Sequence, residues 1–147
     1  MKRGIECCFN GGANELLLAL LRLPALCGMT TICTEYEAVT DRGNLELPTM
    51  VPAETLADEL EEKTPLLLFL NLKLLPPGEQ DGELSDYGDF LRSPYALVCL
   101  ITDLRYAEVY GKDELLLEKI AETARKIGAL EVRWKDETDG RRGFSVV

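Results

Sequence analysis

The sequence predicts an α+β fold: a mixed, largely antiparallel sheet with helices mainly on one face. Three observations carry this. At about 100° per residue, Leu116, Leu117, Ile120, Ala121, Ala124 and Ile127 share one stripe between Asp113 and Ile127, with Glu118, Lys119, Glu122, Arg125 and Lys126 opposite. Ala96 to Ile101 is a continuous apolar run of strand length, the pattern of a strand covered on both faces. Leu130, Val132 and Trp134 alternate with Glu131, Arg133 and Lys135, the spacing of a half-buried strand. With Leu104 to Tyr110 before the helix, and Phe144 and Val146 after a turn at Asp136 to Gly140, these segments form a C-terminal ββαββ unit. Its helix buries its stripe most simply across a sheet made by the two hairpins. Asp113 can cap that helix, and Gly128 can end it in a left-handed conformation. Leu115 alone falls on the polar side and is expected to be exposed.

The earlier elements follow in order. Ile5, Cys7 and Phe9 alternate with Glu6 and Cys8, giving a first strand over Arg3 to Phe9. Asn10-Gly11-Gly12 turns the chain into a leucine-rich helix that Asn14 or a neighbour caps and Pro24 stops. Thr31 to Thr40 reads as a strand, Asp41 to Asn44 as a turn and Leu45 to Leu47 as a short strand. Pro52 begins a helix to about Glu62 with Leu56 and Leu60 inward. Leu66 to Leu74 is an apolar strand interrupted by Asn71 and Lys73. Pro76 to Gly82 is a loop, and Ser85 to Leu91 a short helix. Without repeats or low-complexity linkers, the 147 residues are read as one domain, 1–147, large enough for a real core.

Composition narrows the function classes. A net charge of −10 disfavours nucleic acid and anionic membranes as partners, since both reward Lys and Arg. The absence of histidine removes the commonest general base and metal ligand, so a histidine-free enzyme ranks last among the readings. Five cysteines without a C-x-x-C pair predict reduced thiols in a cytoplasm. Cys7, Cys8, Cys27 and Cys33 are too irregularly spaced for a zinc site. Lys2 and Arg3 ahead of Leu16 to Leu26 and Cys27 imitate a lipoprotein signal. Glu6, Asn10 and Glu15 interrupt it, and Leu26 is too large to precede a cleavage site. The apolar run is also too short to span a bilayer.

Several short stretches carry a resemblance. They are the opening Met1-Lys2-Arg3-Gly4-Ile5, the strand end Leu72-Lys73-Leu74-Leu75-Pro76, and Asp86-Tyr87-Gly88-Asp89-Phe90-Leu91. Tyr110-Gly111-Lys112-Asp113 and Asp139-Gly140-Arg141-Arg142 complete the set. Together they resemble a family of bacterial proteins of about this length, catalogued as a domain of unknown function. The resemblance covers nearly the whole chain and implies a bacterial cytoplasmic α/β protein. It brings no catalytic, cofactor or metal residues to positions in this sequence.

The informative asymmetry is electrostatic. Between Glu46 and Asp89, eleven carboxylates face only Lys63 and Lys73, so −9 of the net −10 lies there. If Glu54, Asp58, Glu59, Glu61, Glu62, Glu79, Asp81, Glu83, Asp86 and Asp89 fold onto one face, they form a platform for a basic protein. The function that follows is an acidic protein-binding module, with an immunity or antitoxin-like role as its concrete form. Tyr106, Glu108 and Tyr110 share a strand face and form the second candidate surface. A small-molecule-binding protein is the alternative. Carboxylates for an enzyme would be Glu35, Glu37 and Asp41, or Asp103 beside Arg105, each of which is more simply a turn former or ion pair. The acids of Asp81 to Asp89 miss EF-hand spacing, because Asp86 stands where glycine is needed. Gly11-Gly12 before a helix lacks the lysine of a phosphate loop.

Overall fold

The computed structural model describes residues 3–136 together with Gly143, Phe144 and Val146. In chain order the elements are β1 (Gly4–Cys8), α1 (Asn14–Leu21), β2 (Thr30–Thr40), β3 (Gly43–Leu45), β4 (Met50–Pro52) and α2 (Ala53–Lys63). Then come β5 (Leu66–Leu75), α3 (Tyr87–Arg92), β6 (Leu97–Thr102), β7 (Tyr106–Gly111), α4 (Glu114–Lys126) and β8 (Glu131–Lys135). The strands form one eight-stranded sheet in the order β3-β2-β5-β6-β7-β1-β8, with β4 also on β2. Every pairing among the described residues is antiparallel.

Strand periodicity divides the core in two. On the first face Ile5, Cys7, Leu97, Cys99, Ile101, Ala107 and Val109 are buried under α1, α2 and α4. Leu16, Leu17, Leu20 and Leu21 of α1 belong to that core, so the leucine run that imitates a signal is a structural helix. In α4, Leu117, Ile120, Ala121 and Ala124 are buried and Leu115 is 75% exposed, as the stripe requires. The Asp113 carboxylate accepts from the N–H groups of Leu115 and Leu116 at 2.9 and 3.4 Å, and Gly128 follows with φ +99°.

On the second face Ile32, Leu75, Val98, Leu100 and Tyr110 pack with Phe90, Tyr95 and Phe144. Here α3 is the cover, so three helices lie on one face and a short one on the other. The polar interruptions of β5 have their explanation on this side. Asn71 Nδ2 donates to the Phe144 carbonyl at 2.9 Å, and Lys73 Nζ lies 5.1 Å from the Tyr95 ring centroid. The Phe144 ring centroid stands 5.0 Å from Tyr110 and 6.4 Å from Phe90.

The final expected hairpin falls largely outside the described residues. Phe144 and Val146 lie outside any strand, because the aromatic cluster takes the Phe144 ring while Ser85 O and Asn71 hold its backbone. Its expected turn, Asp136 to Gly140, lies outside the described residues from position 137 on. β8 pairs instead with β1, which is inserted between β7 and β8. A Cβ on Gly4 would meet the Val109 carbonyl oxygen at 2.2 Å, so β1 fits this slot because residue 4 has none. The short strand expected at Leu45 to Leu47 forms earlier, as β3, and β4 appears where none was expected. The leucine-rich helix starts at Asn14, with Ala13 at its N-cap position and no side-chain cap.

Candidate functional site

Two regions gather the residues that the sequence singles out, and the sheet separates them. The first surrounds α2. Ala53, Leu56, Ala57 and Leu60 are buried, which turns Asp58, Glu61 and Glu62 outward. Arg22, just past the end of α1, binds two of these, Asp58 at 3.1 Å and Glu61 by a shorter contact. Lys63 pairs with Glu59 at 3.2 Å. Glu54 accepts from Gly28 N–H at 2.8 Å and also bonds the Cys27 thiol. These bonds hold the Glu54 carboxyl below its ordinary value, and the bond to Glu54 raises the thiol.

Beside α2 runs the segment from Glu46 to Val51, fixed by Tyr36. The Tyr36 hydroxyl accepts from Leu47 N–H at 2.9 Å, and the Thr49 carbonyl accepts from Cys33 N–H at 2.9 Å. Between this segment and α2 lies a shallow groove of about 540 Å³. Leu47, Pro48 and Val51 give it an apolar lining, and Glu46, Asp58, Glu59 and Glu62 add four carboxylates.

The remaining acids, Glu79, Asp81, Glu83, Asp86 and Asp89, lie on the loop and helix of the second face. No single platform is formed, since α2 packs on one core and α3 on the other. Several of these acids serve local structure. Asp86 caps α3 by accepting from Asp89 N–H at 2.8 Å, and Asp89 accepts from Ser85 N–H at 3.2 Å while pairing with Arg92 at 2.8 Å. Asp81 accepts from the Tyr95 hydroxyl and lies 3.7 Å from Lys73. Burial and the Asp81 bond push the Tyr95 hydroxyl up to about 12.

The second region is the uncovered part of the second face, over β7, β1 and β8. Cross-strand register sets three rows there: Thr102–Tyr106–Cys8–Glu131, then Leu100–Glu108–Glu6–Arg133, then Val98–Tyr110–Gly4–Lys135. Tyr106 is 48% exposed, whereas Tyr110 is buried beneath Phe144 and belongs to the core. Tyr110 is therefore withdrawn from the expected surface, and its hydroxyl donates to Glu108 at 2.6 Å. Lys135, with only 7% of its side chain exposed, lies 3.2 Å from Glu6 and 3.4 Å from Glu108. Arg133 closes on Glu6 at 2.5 Å. Burial raises the Glu6 carboxyl, but Arg133 and Lys135 outweigh it and hold the group below its ordinary 4.5. A cavity of about 370 Å³ lies over these rows, between the Thr102-Asp103 turn and Arg133.

Lys135 and Arg133 are the residues that sequence reading missed. Their positions on the polar side of an alternating strand were legible, but the β8–β1 pairing that brings them to Glu6 was not. The carboxylates weighed for catalysis do not converge. Glu35 accepts from Val146 N–H at 2.7 Å, Glu37 and Asp41 are exposed along β2 and its turn, and Asp103 sits in a left-handed turn with φ 48°. The Gly11-Gly12 turn leads into Ala13, whose N–H is taken by the Leu104 carbonyl at 2.8 Å. All five cysteines are unpaired thiols, and burial pushes Cys7, Cys33 and Cys99 up to about 12. Among the described residues, no three His, Cys, Asp or Glu side chains gather as a metal would require. No helix among them is long and apolar enough to cross a membrane.

Residues 31–145 match the family described as "Protein of unknown function (DUF2691)", and the chain belongs to that family. The match runs from β2 through β8 and takes in the α2 groove, but it leaves out β1, whose Glu6 and Cys8 belong to the second region. A relative from Bacillus subtilis (strain 168), "Uncharacterized protein YncE", is 31% identical over 80 residues, covering 54% of this chain and 52% of that protein. The chain thus spans about half the length of the curated relative it matches. No solved structure matches the fold.

Proposed function

From that membership, which fixes no activity, we propose that the chain is a protein-binding module. It docks a basic segment of a partner protein in the groove between α2 and residues 46–51, and an immunity or antitoxin-like role is the concrete form of this reading. One observation carries it: the groove combines an apolar lining with four carboxylates, Glu46 on the wall that Tyr36 holds and Asp58, Glu59 and Glu62 on α2. Apolar contact then supplies affinity, while opposite charge steers the encounter and selects the partner. A basic, amphipathic segment fits both properties. The unpaired thiols support a reducing, cytoplasmic setting.

The experiment compares two charge reversals of equal size in partner capture at low and high salt. Glu46→Lys with Glu62→Lys alters the groove, and Glu79→Lys with Glu83→Lys alters the opposite face. Capture should be lost in the first variant, kept in the second, and weakened in the wild type as the Debye length shrinks from ~10 Å at 0.1 M to ~3 Å at 1 M salt. Equal capture by both variants, or equal loss, overturns the groove as the docking site.

A further inference from the structure

We propose that the groove between α4 and the segment following α1 binds a second copy of this chain about a two-fold axis. Leu23, Pro24 and Ala25 line one side of it and Leu115 and Leu116 the other, around a volume of about 320 Å³. Leu115 is 75% exposed, Pro24 and Ala25 are exposed, and Leu23 and Leu116 are half-buried. Two distant stretches of chain thus present one apolar patch. A scattered surface leucine needs no explanation, but one that stands beside an apolar hollow does.

Three observations choose a second copy as the occupant. First, the charges in the lining are one acid and one base, Asp113 and Lys119. Neither forms an ion pair among the described residues, since Glu122, which Lys119 attracts through space, is bound by Lys126 at 3.0 Å. The two stand six positions apart, about 9 Å along the helix axis at ~1.5 Å per residue. A partner that satisfies both needs a base opposite Asp113, an acid opposite Lys119 and apolar surface between them. The α4 helix of a second copy, laid antiparallel and centred near Leu116, offers that order, and each contact is then made twice. Second, the shape is self-complementary. Leu115 projects beside the hollow that Leu23 and Leu116 line, so a two-fold axis can seat each Leu115 on the other copy's patch and take it out of water. Third, the patch is built from the near-neutral parts of the chain. Residues 1–45 hold four bases against five acids, and residues 90–147 hold ten of each. A strongly charged partner finds little net charge to follow there, whereas two copies meet away from their acidic middle segments.

This surface shares no residue with the α2 groove, so either can fail alone. The test is sedimentation equilibrium of the full chain under reducing conditions, at ~0.15 M salt where a Debye length of ~8 Å screens repulsion between distant acids. The average mass should rise from that of one chain towards that of two as concentration goes from micromolar to millimolar. Amide NMR signals of Ala25, Leu115, Leu116 and Lys119 should move over the same range, while those of Leu47, Thr55 and Glu62 stay fixed. Leu115→Ser, at an exposed position that leaves the fold intact, should weaken association about tenfold or more, since each substitution acts twice in a two-fold dimer. Lys119→Glu sets like charges opposite each other and should do the same. Asp113→Asn keeps the helix cap but removes the charge, and should weaken association severalfold. Arg42→Glu, the same change in net charge in the turn between β2 and β3, should associate as the wild type does. A mass that stays at one chain throughout, a dimer kept by both Leu115→Ser and Lys119→Glu, or concentration-dependent shifts centred on another surface overturns the proposal.

Discussion

On the first face of the sheet, the inward residues of β1, β6 and β7 are aliphatic or cysteine, and three helices close over them. On the second face the same strands carry tyrosine, glutamate and threonine beside Val98 and Leu100, and the cover is one short helix with the Phe144 segment. The first face stabilises by apolar burial alone. The second divides its length between an aromatic core and a row of linked charges. Burying those charges costs free energy that hydrocarbon would not have cost, so they are weak evidence for stability. Their position is better explained by what they hold in place: Glu6 and Glu108 in the lining of a cavity. The contrast separates scaffold from candidate site within one sheet.

The aromatic half of the second face should nevertheless be as much core as the first. Phe90→Ala is expected to destabilise by ~3–5 kcal/mol and Ile120→Ala by ~2–5 kcal/mol, through lost burial and a residual cavity. Leu115→Ala should cost well under half of the Ile120 value, since Leu115 is 75% exposed. Denaturant unfolding measures all three. A Phe90 loss as small as that at Leu115 would reduce the second face to a loose cover.

A smaller effect sharpens the role of the charged row. Lys135→Met keeps volume and removes the cation, leaving Glu6 with Arg133 and Glu108 with the Tyr110 hydroxyl. The expected loss is about 1–3 kcal/mol, the cost of carboxylates losing a partner in a partly buried setting. A stabilised variant would show that the lysine is kept for organisation at a net cost in stability, and the comparison of faces would become sharper still.

The smallest effect is in pH. The Glu6 carboxyl is depressed in the folded chain, so its contribution is fully present above the ordinary value of 4.5 and is lost as pH falls through the folded value. Glu6→Gln should therefore flatten part of the acid limb of stability below 4.5 and leave the slope near neutrality unchanged. Melting temperatures from pH 3 to pH 7 would show it. An unchanged acid limb would mean that Arg133 and Lys135 do not hold the carboxylate in solution.

Local pattern by itself determined much of this protein. The 3.6-residue stripe of α4, its Asp113 cap and Gly128 end, the apolar run of β6 and the exposed Leu115 all follow from residues within a few positions of one another. So does α2, whose four buried residues recur at helical spacing. What only the tertiary structure decided is which strand lies beside which. A strand's own alternation says which residues share a face, not whose face it will be, because backbone pairing is nearly indifferent to side-chain identity. Gly4 admits β1 between β7 and β8, and that insertion brings Glu6 to Lys135 across 129 positions of sequence. The same limit kept the acidic segment from being read as two groups. Charge adds along a sequence regardless of geometry, whereas the sheet places α2 on one side and Glu79 to Asp89 on the other. Tyr110 and Tyr106 share one strand face, but the Phe144 ring covers the first and leaves the second half exposed, and that contact spans 34 residues of chain.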